Sequence, residues 1–422
     1  MPSTLTLSLL AVPFYLLLVR SLRWRRYNAI HREFAGRDPE SLTTEEAQRV
    51  MHGVTMWDMP GLSMWSLSFA LFKTYAIPSI SKILAATKEL SSAELVSKRI
   101  ADTEILVASM MDCPMAGSYP FTETATGAKN AQSEEGGKDP RASIAIARLN
   151  FLHSHYPIAS RTFCYSWRWA ARYGWRSWSM LERTATFILW KEIGHRMGIK
   201  DIPETLDELE AWSLAYEQEI MVPADSNALV ARYTVAELLH RVPTFLGLKA
   251  AAENIAVSAL EERVRIAMKQ PDQPEWLKQL THHLLIMTGL FQRYLCLPRR
   301  TPESRVPVPQ SPSASSPFPA SQFSHKLFSV DKDGVHRMHP NLFRAKPWYK
   351  PEGAWWMDKF MTLVGWYDDV PSPEWASSGY RLEEIGPVEK ASLGHEQIMR
   401  DAERLQGCPV TGIWSLDGRQ GA

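Results

Sequence analysis

The residues best suited to chemistry in this chain are a few histidines set in helical surroundings. The stretch "RLNFLHSHY" places His153 and His155 two apart at the end of an otherwise apolar run. If residues 141–155 are helical, His153 lies over Leu149 and Ile146, with Ala142 a turn further back. The other side carries Ile144, Ala147 and Phe151, so the helix is apolar nearly all round and should be buried. A buried neutral imidazole has one N–H to donate and one lone pair to give. Two readings are open: a hydrogen-bonded core histidine, or an axial ligand to a haem iron, which needs an apolar slot beside one imidazole. His155 faces Arg148 and Leu152, with Pro157 close behind, and belongs nearer the surface.

Arg99 and Thr103 are four apart, so they share a helix face. They are either a solvated arginine above a threonine or a cationic site, since a buried arginine needs an anionic partner such as a haem propionate. Glu192–His195 and Glu237–His240 form two E-x-x-H motifs, the pattern by which di-iron proteins hold metal when both face inward with two more glutamates. His282 and His283 are adjacent and diverge on a helix, and His336 and His339 lie late in the chain. No P-loop, dinucleotide fingerprint, nucleophile elbow or H-E-x-x-H is present. Cys408 lacks a haem-thiolate context.

The elements that must position these residues are helices. "SSAELVSKRIADTEILVASMM" opens on a capping box, Ser91 and Glu94. "SMLERTATFILWKEIGHRMGI" runs to a C-cap region at Gly198. Pro203 and Pro223 bracket a further helix, and "EWLKQLTHHLLIMTGLFQRYLCL" ends at Pro298. Alternating strand patterns between tight turns are lacking. The expectation is an all-α fold, one large domain of eight or more helices over 26–298. A polar, Gly-rich loop at 117–140 interrupts it. A Pro/Ser-rich linker follows at 299–325, then a Trp-rich extension at 326–406 with a helix around Val388 to Leu405.

From Pro2 to Val19 the chain is uncharged and strongly apolar, and Arg20, Arg23, Arg25 and Arg26 follow at once. A bilayer core takes about 20 apolar residues as a helix, with about 17 as the lower end. Residues 1–20 therefore read as a single-pass transmembrane anchor, the alternative being a buried N-terminal helix. With its positive charges after the apolar run, it is not a cleaved signal, and it leaves the rest of the chain in the cytosol. The formal net charge of +1 argues against nucleic acid as a partner. The sparse cysteines (Cys113, Cys164, Cys296, Cys408) fit a reducing compartment.

The ordered set "RYNAIHREF", "FALFKTYAIPSISKIL", "KRIADTEILV", "IARLNFLHSHY", "WKEIGHRMGI" and "WSLAYEQEIMVPADSN", then "RMHP", "PWY" and "GYRLEEIGP", resembles the fungal ER-bound oxygenases of the MpaB family. That group is related to the bacterial latex-clearing protein, the rubber oxygenase. The resemblance spans most of residues 26–406. It implies a b-type haem in an all-α domain, with His153 as the axial ligand to the iron and Arg99 and Thr103 as catalytic and haem-pocket residues. It implies an oxygenase at the endoplasmic reticulum membrane that uses O₂ on a lipophilic, prenylated secondary-metabolite intermediate, cleaving a C=C bond. A lysine that precedes the threonine in the rubber oxygenase is Asp102 here, so no distal lysine role carries over. The loop 117–140 is longer and the segment 157–171 shorter than that pattern expects.

Overall fold

A computed structural model describes residues 4–90, 92, 95–115, 139–154, 165–240, 242, 247–308 and 328–417. The loop 117–138, the segment 155–164 with His155, the Ser91–Glu94 box, residues 309–325 of the expected linker and residues 326–327 of the expected extension lie outside the described residues.

The chain is mostly helical. Its helices in order are α1 (Thr4–Glu33), α2 (Thr44–His52), α3 (Pro60–Thr74), α4 (Pro78–Ala86), α5 (Val96–Asp112), α6 (Arg141–His153), α7 (Tyr165–Tyr173), α8 (Met180–Arg196), α9 (Leu206–Ile220), α10 (Asp225–Leu238), α11 (Leu248–Ser258), α12 (Glu262–Ala267), α13 (Glu275–Leu295), α14 (Trp355–Leu363) and α15 (His395–Gln406). Local signals set several of these limits. Thr43 with Glu46 and Thr205 with Glu208 close reciprocal capping boxes at the starts of α2 and α9. Gly198, at φ +71°, ends α8, with the Gly198 and Ile199 amides returning to the carbonyls of His195 and Gly194. One small antiparallel ribbon, β1 (Phe328–Val330) on β2 (His336–Met338), was not expected from the sequence. Three-residue strands are too short to show an alternating pattern.

Packing divides the chain into two compact units, each discontinuous in sequence. The first comprises Met1–Leu71, Thr162–Trp190 and Gln273–Glu303; the second comprises Phe72–Arg161, Lys191–Asp272 and Ser304–Ala422.

In the first unit α1 does not stop at Arg20, where the anchor was expected to end, but runs on to Glu33. Arginine is a good helix former, so a charge boundary need not be a helix boundary. Among the described residues no helix is long and apolar enough to cross a membrane, so the expected span is not met there. Val12, Phe14 and Leu17 of α1 are exposed. The Tyr15 hydroxyl donates to the Leu295 carbonyl (2.8 Å), and Arg23 donates through Nε and Nη2 to the Cys296 carbonyl (3.0 and 2.8 Å). An ion cluster also lies in this unit: Arg176 bonds Asp58 (2.8 Å) and Glu182 (2.6 Å), all buried side chains.

In the second unit α6 is the central helix. Arg141 to Arg148 are all buried, as the all-round apolar pattern requires, and α5 and α15 pack against α6. Residues 304–308, at the start of the expected linker, belong to this packing. Val306 and Val308 are buried, and Arg141 Nη1 donates to the Pro307 carbonyl (2.6 Å). The extension folds back on the same helix. Arg148 donates from Nε to the Ile385 carbonyl (2.7 Å), from Nη2 to that of Lys390 (2.9 Å) and from Nη1 to that of Leu393 (3.2 Å). Burial lowers the Arg148 pKa to about 10, so it stays charged at neutral pH. Gly386 sits at φ +128°, where a Cβ would stand 3.0 Å from Leu152 Cδ1; glycine is required for conformation and for close approach to α6.

Candidate functional site

His153 is the last residue of α6 and is half-buried. Its imidazole makes no hydrogen bond to any described residue, which counts against the hydrogen-bonded core reading. Burial, helped by the nearby Arg99 charge, lowers its pKa to about 4. The ring is therefore neutral at physiological pH and keeps a lone pair available.

Arg99 and Thr103 stand on α5, which packs against α6. Arg99 Nη1 donates to Thr103 Oγ1 (2.9 Å), and that hydroxyl donates to the Arg99 carbonyl (2.7 Å). Thr103 thus orients the guanidinium from one turn away. No carboxylate of the described residues lies within ion-pair distance of Arg99. Its charge is felt by His153 and also by Tyr75 and Glu89, whose pKa values burial raises and Arg99 pulls back. The structure thus brings His153, Arg99 and Thr103 together. Tyr75 and Glu89, which precede α5, feel the same Arg99 charge, and no motif marks either residue.

Asp102 turns to the other side of α5. Its carboxylate takes the Lys98 ammonium (2.7 Å) on Oδ2 and the Tyr349 hydroxyl (2.6 Å) on Oδ1. Lys98 also donates to the Gly386 carbonyl (2.6 Å). Burial and Asp102 raise the Tyr349 pKa well above its usual value, so its hydroxyl remains a donor. Tyr349 adopts φ +60°, an unfavourable conformation for a bulky residue. Its carbonyl accepts from His339 Nδ1 (2.7 Å). His339 is buried, with Ser329 Oγ against its Nε2 (2.8 Å): a satisfied core histidine.

The E-x-x-H motifs do not assemble. Glu192 pairs with Arg196 (2.7 Å), and His195 is exposed. Glu237 is buried, with its carboxyl raised by burial, and His240 Nδ1 donates to the Glu237 carbonyl (2.7 Å). Among the described residues no group of three or more His, Cys, Asp or Glu is placed to hold a metal ion. His283 bonds the Gln279 carbonyl within its own helix.

Among the described residues, then, a neutral imidazole that accepts and donates no hydrogen bond lies within reach of the charge of a guanidinium that has no carboxylate partner. No family model matches the chain. Among characterised proteins it is 27% identical over 428 residues to ER-bound oxygenase mpaB' of Penicillium brevicompactum, covering 93% of this chain and 90% of that protein. It is 30% identical over 256 residues to ER-bound oxygenase mpaB of Penicillium roqueforti (strain FM164), covering 54% of this chain and 78% of that protein. To ER-bound oxygenase mpaB of Penicillium brevicompactum it is 29% identical over 260 residues, covering 54% and 61%. The chain belongs to the MpaB family of ER-bound oxygenases.

Proposed function

We propose that this protein is a haem-dependent oxygenase of the endoplasmic reticulum membrane, acting on a lipophilic, prenylated small molecule by cleavage of a C=C bond. The observation that carries this reading is a neutral His153 imidazole within reach of the Arg99 charge, neither having a hydrogen-bonding or carboxylate partner, respectively, among the described residues. The donor chemistry fits a b-type haem, whose iron His153 would hold and whose acidic side groups Arg99 would pair with. When bound, haem supplies the activation of O₂.

The chain's own residues then have definite tasks. His153 presents a lone pair because burial keeps it unprotonated down to about pH 4. Arg99 neutralises a carboxylate, and Thr103 holds the guanidinium in place for it. Apolar Pro2–Val19 inserts into the bilayer, where a prenylated substrate concentrates. The arginines from Arg20 onward mark the cytosolic side, where the catalytic portion lies.

The test is the absorption spectrum of detergent-solubilised protein, wild type beside His153→Ala, with a pyridine haemochrome assay. A Soret band in the wild type, lost or displaced in the variant, is expected. A folded wild type without porphyrin would overturn the reading.

A further inference from the structure

The outer face of α13 carries a continuous apolar stripe. Trp276, Leu280, Leu284, Met287, Leu290, Phe291 and Tyr294 recur at helical spacing, and all are exposed, Trp276 by 65% and Met287 by 59%. The inner face is committed to the protein. Leu277, Thr281 and Gly289 are buried, and a Cβ on Gly289 would stand 2.7 Å from the Tyr173 carbonyl of α7. Exposed His282 and Arg293 border the stripe. A soluble protein rarely leaves so long an apolar face uncovered. An apolar face bordered by basic groups is the pattern of a helix lying in a membrane interface.

The position of α1 says what covers this face. The Tyr15 hydroxyl bonds the Leu295 carbonyl, and Arg23 bonds the carbonyls of Cys296 and Leu297. The end of α13 is therefore fixed at the level of Tyr15, inside the exposed apolar half of α1. If that half of α1 is in lipid, the C-terminal turns of α13 are there too. We infer that α13 is a second membrane-inserted helix, so that the protein meets the phospholipid bilayer with a two-helix surface rather than with its N-terminal segment alone. This rests on the reading of α1 as the attachment to the membrane.

The experiment uses the full-length protein on phosphatidylcholine/phosphatidylinositol vesicles doped with a phospholipid bearing a photoreactive acyl chain. After irradiation, tryptic peptides are mapped by mass spectrometry. The peptide Met1–Arg20 reports α1, and Gln279–Arg293 reports the stripe. Label on both peptides is the expected result. Label on Met1–Arg20 alone, with α13 bare to water or covered by a second copy of the chain, overturns the inference and leaves the attachment reading standing. Label on neither overturns both. A variant carrying Leu284→Glu, Met287→Glu and Phe291→Glu changes side chains that are already exposed, so its helical circular dichroism should match wild type. Label on residues 279–293 of this variant should fall at least roughly tenfold while Met1–Arg20 stays labelled; unchanged label on 279–293 also overturns the inference.

Discussion

At His153 the proposed role depends on a proton that does not bind. Below pH 6.5 the unfolded chain takes up a proton there, whereas the folded protein refuses it until about pH 4. This group therefore makes the folded state less stable as pH falls through that window, by on the order of 1–3 kcal/mol at the lower end. His153→Phe, which cannot titrate, should show a shallower loss in urea unfolding between pH 6.5 and 4. Arg99 is the second cause of the depressed value. Arg99→Met should raise the His153 pKa, read by NMR of labelled imidazole, and should weaken retention of an acidic cofactor while leaving the imidazole in place. An unmoved pKa would mean that the two side chains are not neighbours.

Among the elements, α5 works on two faces. One carries Arg99 and Thr103; the other carries Lys98 and Asp102, which bind the C-terminal extension through Tyr349 and Gly386. The sequence marks Asp102 merely as a departure from a lysine. The fold gives it a structural task. Asp102→Ala leaves a buried ammonium without its carboxylate and should cost about 3–5 kcal/mol. Tyr349→Phe removes one hydrogen bond to a charged group and should cost about 1.5–3 kcal/mol. In both variants, amide exchange over residues 380–395 should quicken before that of α9, which does not touch this network. Uniform acceleration would show that the extension is no separate cooperative element.

For the whole molecule, acid stability is a balance of opposed titrations. Asp112 is buried at the end of α5, accepts from Ser304 Oγ (2.5 Å), and has its pKa raised to about 7 by burial. Between about pH 4 and 7 the folded state holds a proton there that the unfolded chain has released. Its contribution therefore favours folding at low pH and is lost as pH rises towards 7, opposite in sign to that of His153. Asp112→Asn removes this loss. The stability of the variant relative to wild type should climb across pH 4–7, by about 2–4 kcal/mol in total. A flat difference would show that the carboxyl ionises freely.

The sequence by itself determined much that is local. The limits of α9 and α13 follow from caps and prolines, because those interactions close within a turn. The burial of α6 follows from apolar residues on every side, and the shared face of Arg99 and Thr103 from helical spacing. The tertiary structure alone decided which partners meet. His153 comes within reach of the Arg99 charge because α5 and α6 pack together, and no spacing along the chain encodes that. The packing of Arg148 against the carbonyls of Ile385, Lys390 and Leu393 joins residues more than 200 apart, so a reading along the chain sees an extension where packing makes one unit. The sequence reading of α13 gives its end at Pro298 and no face. Which side of it faces the protein was decided by Gly289, whose missing side chain lets α7 approach the opposite face and leaves the stripe outside.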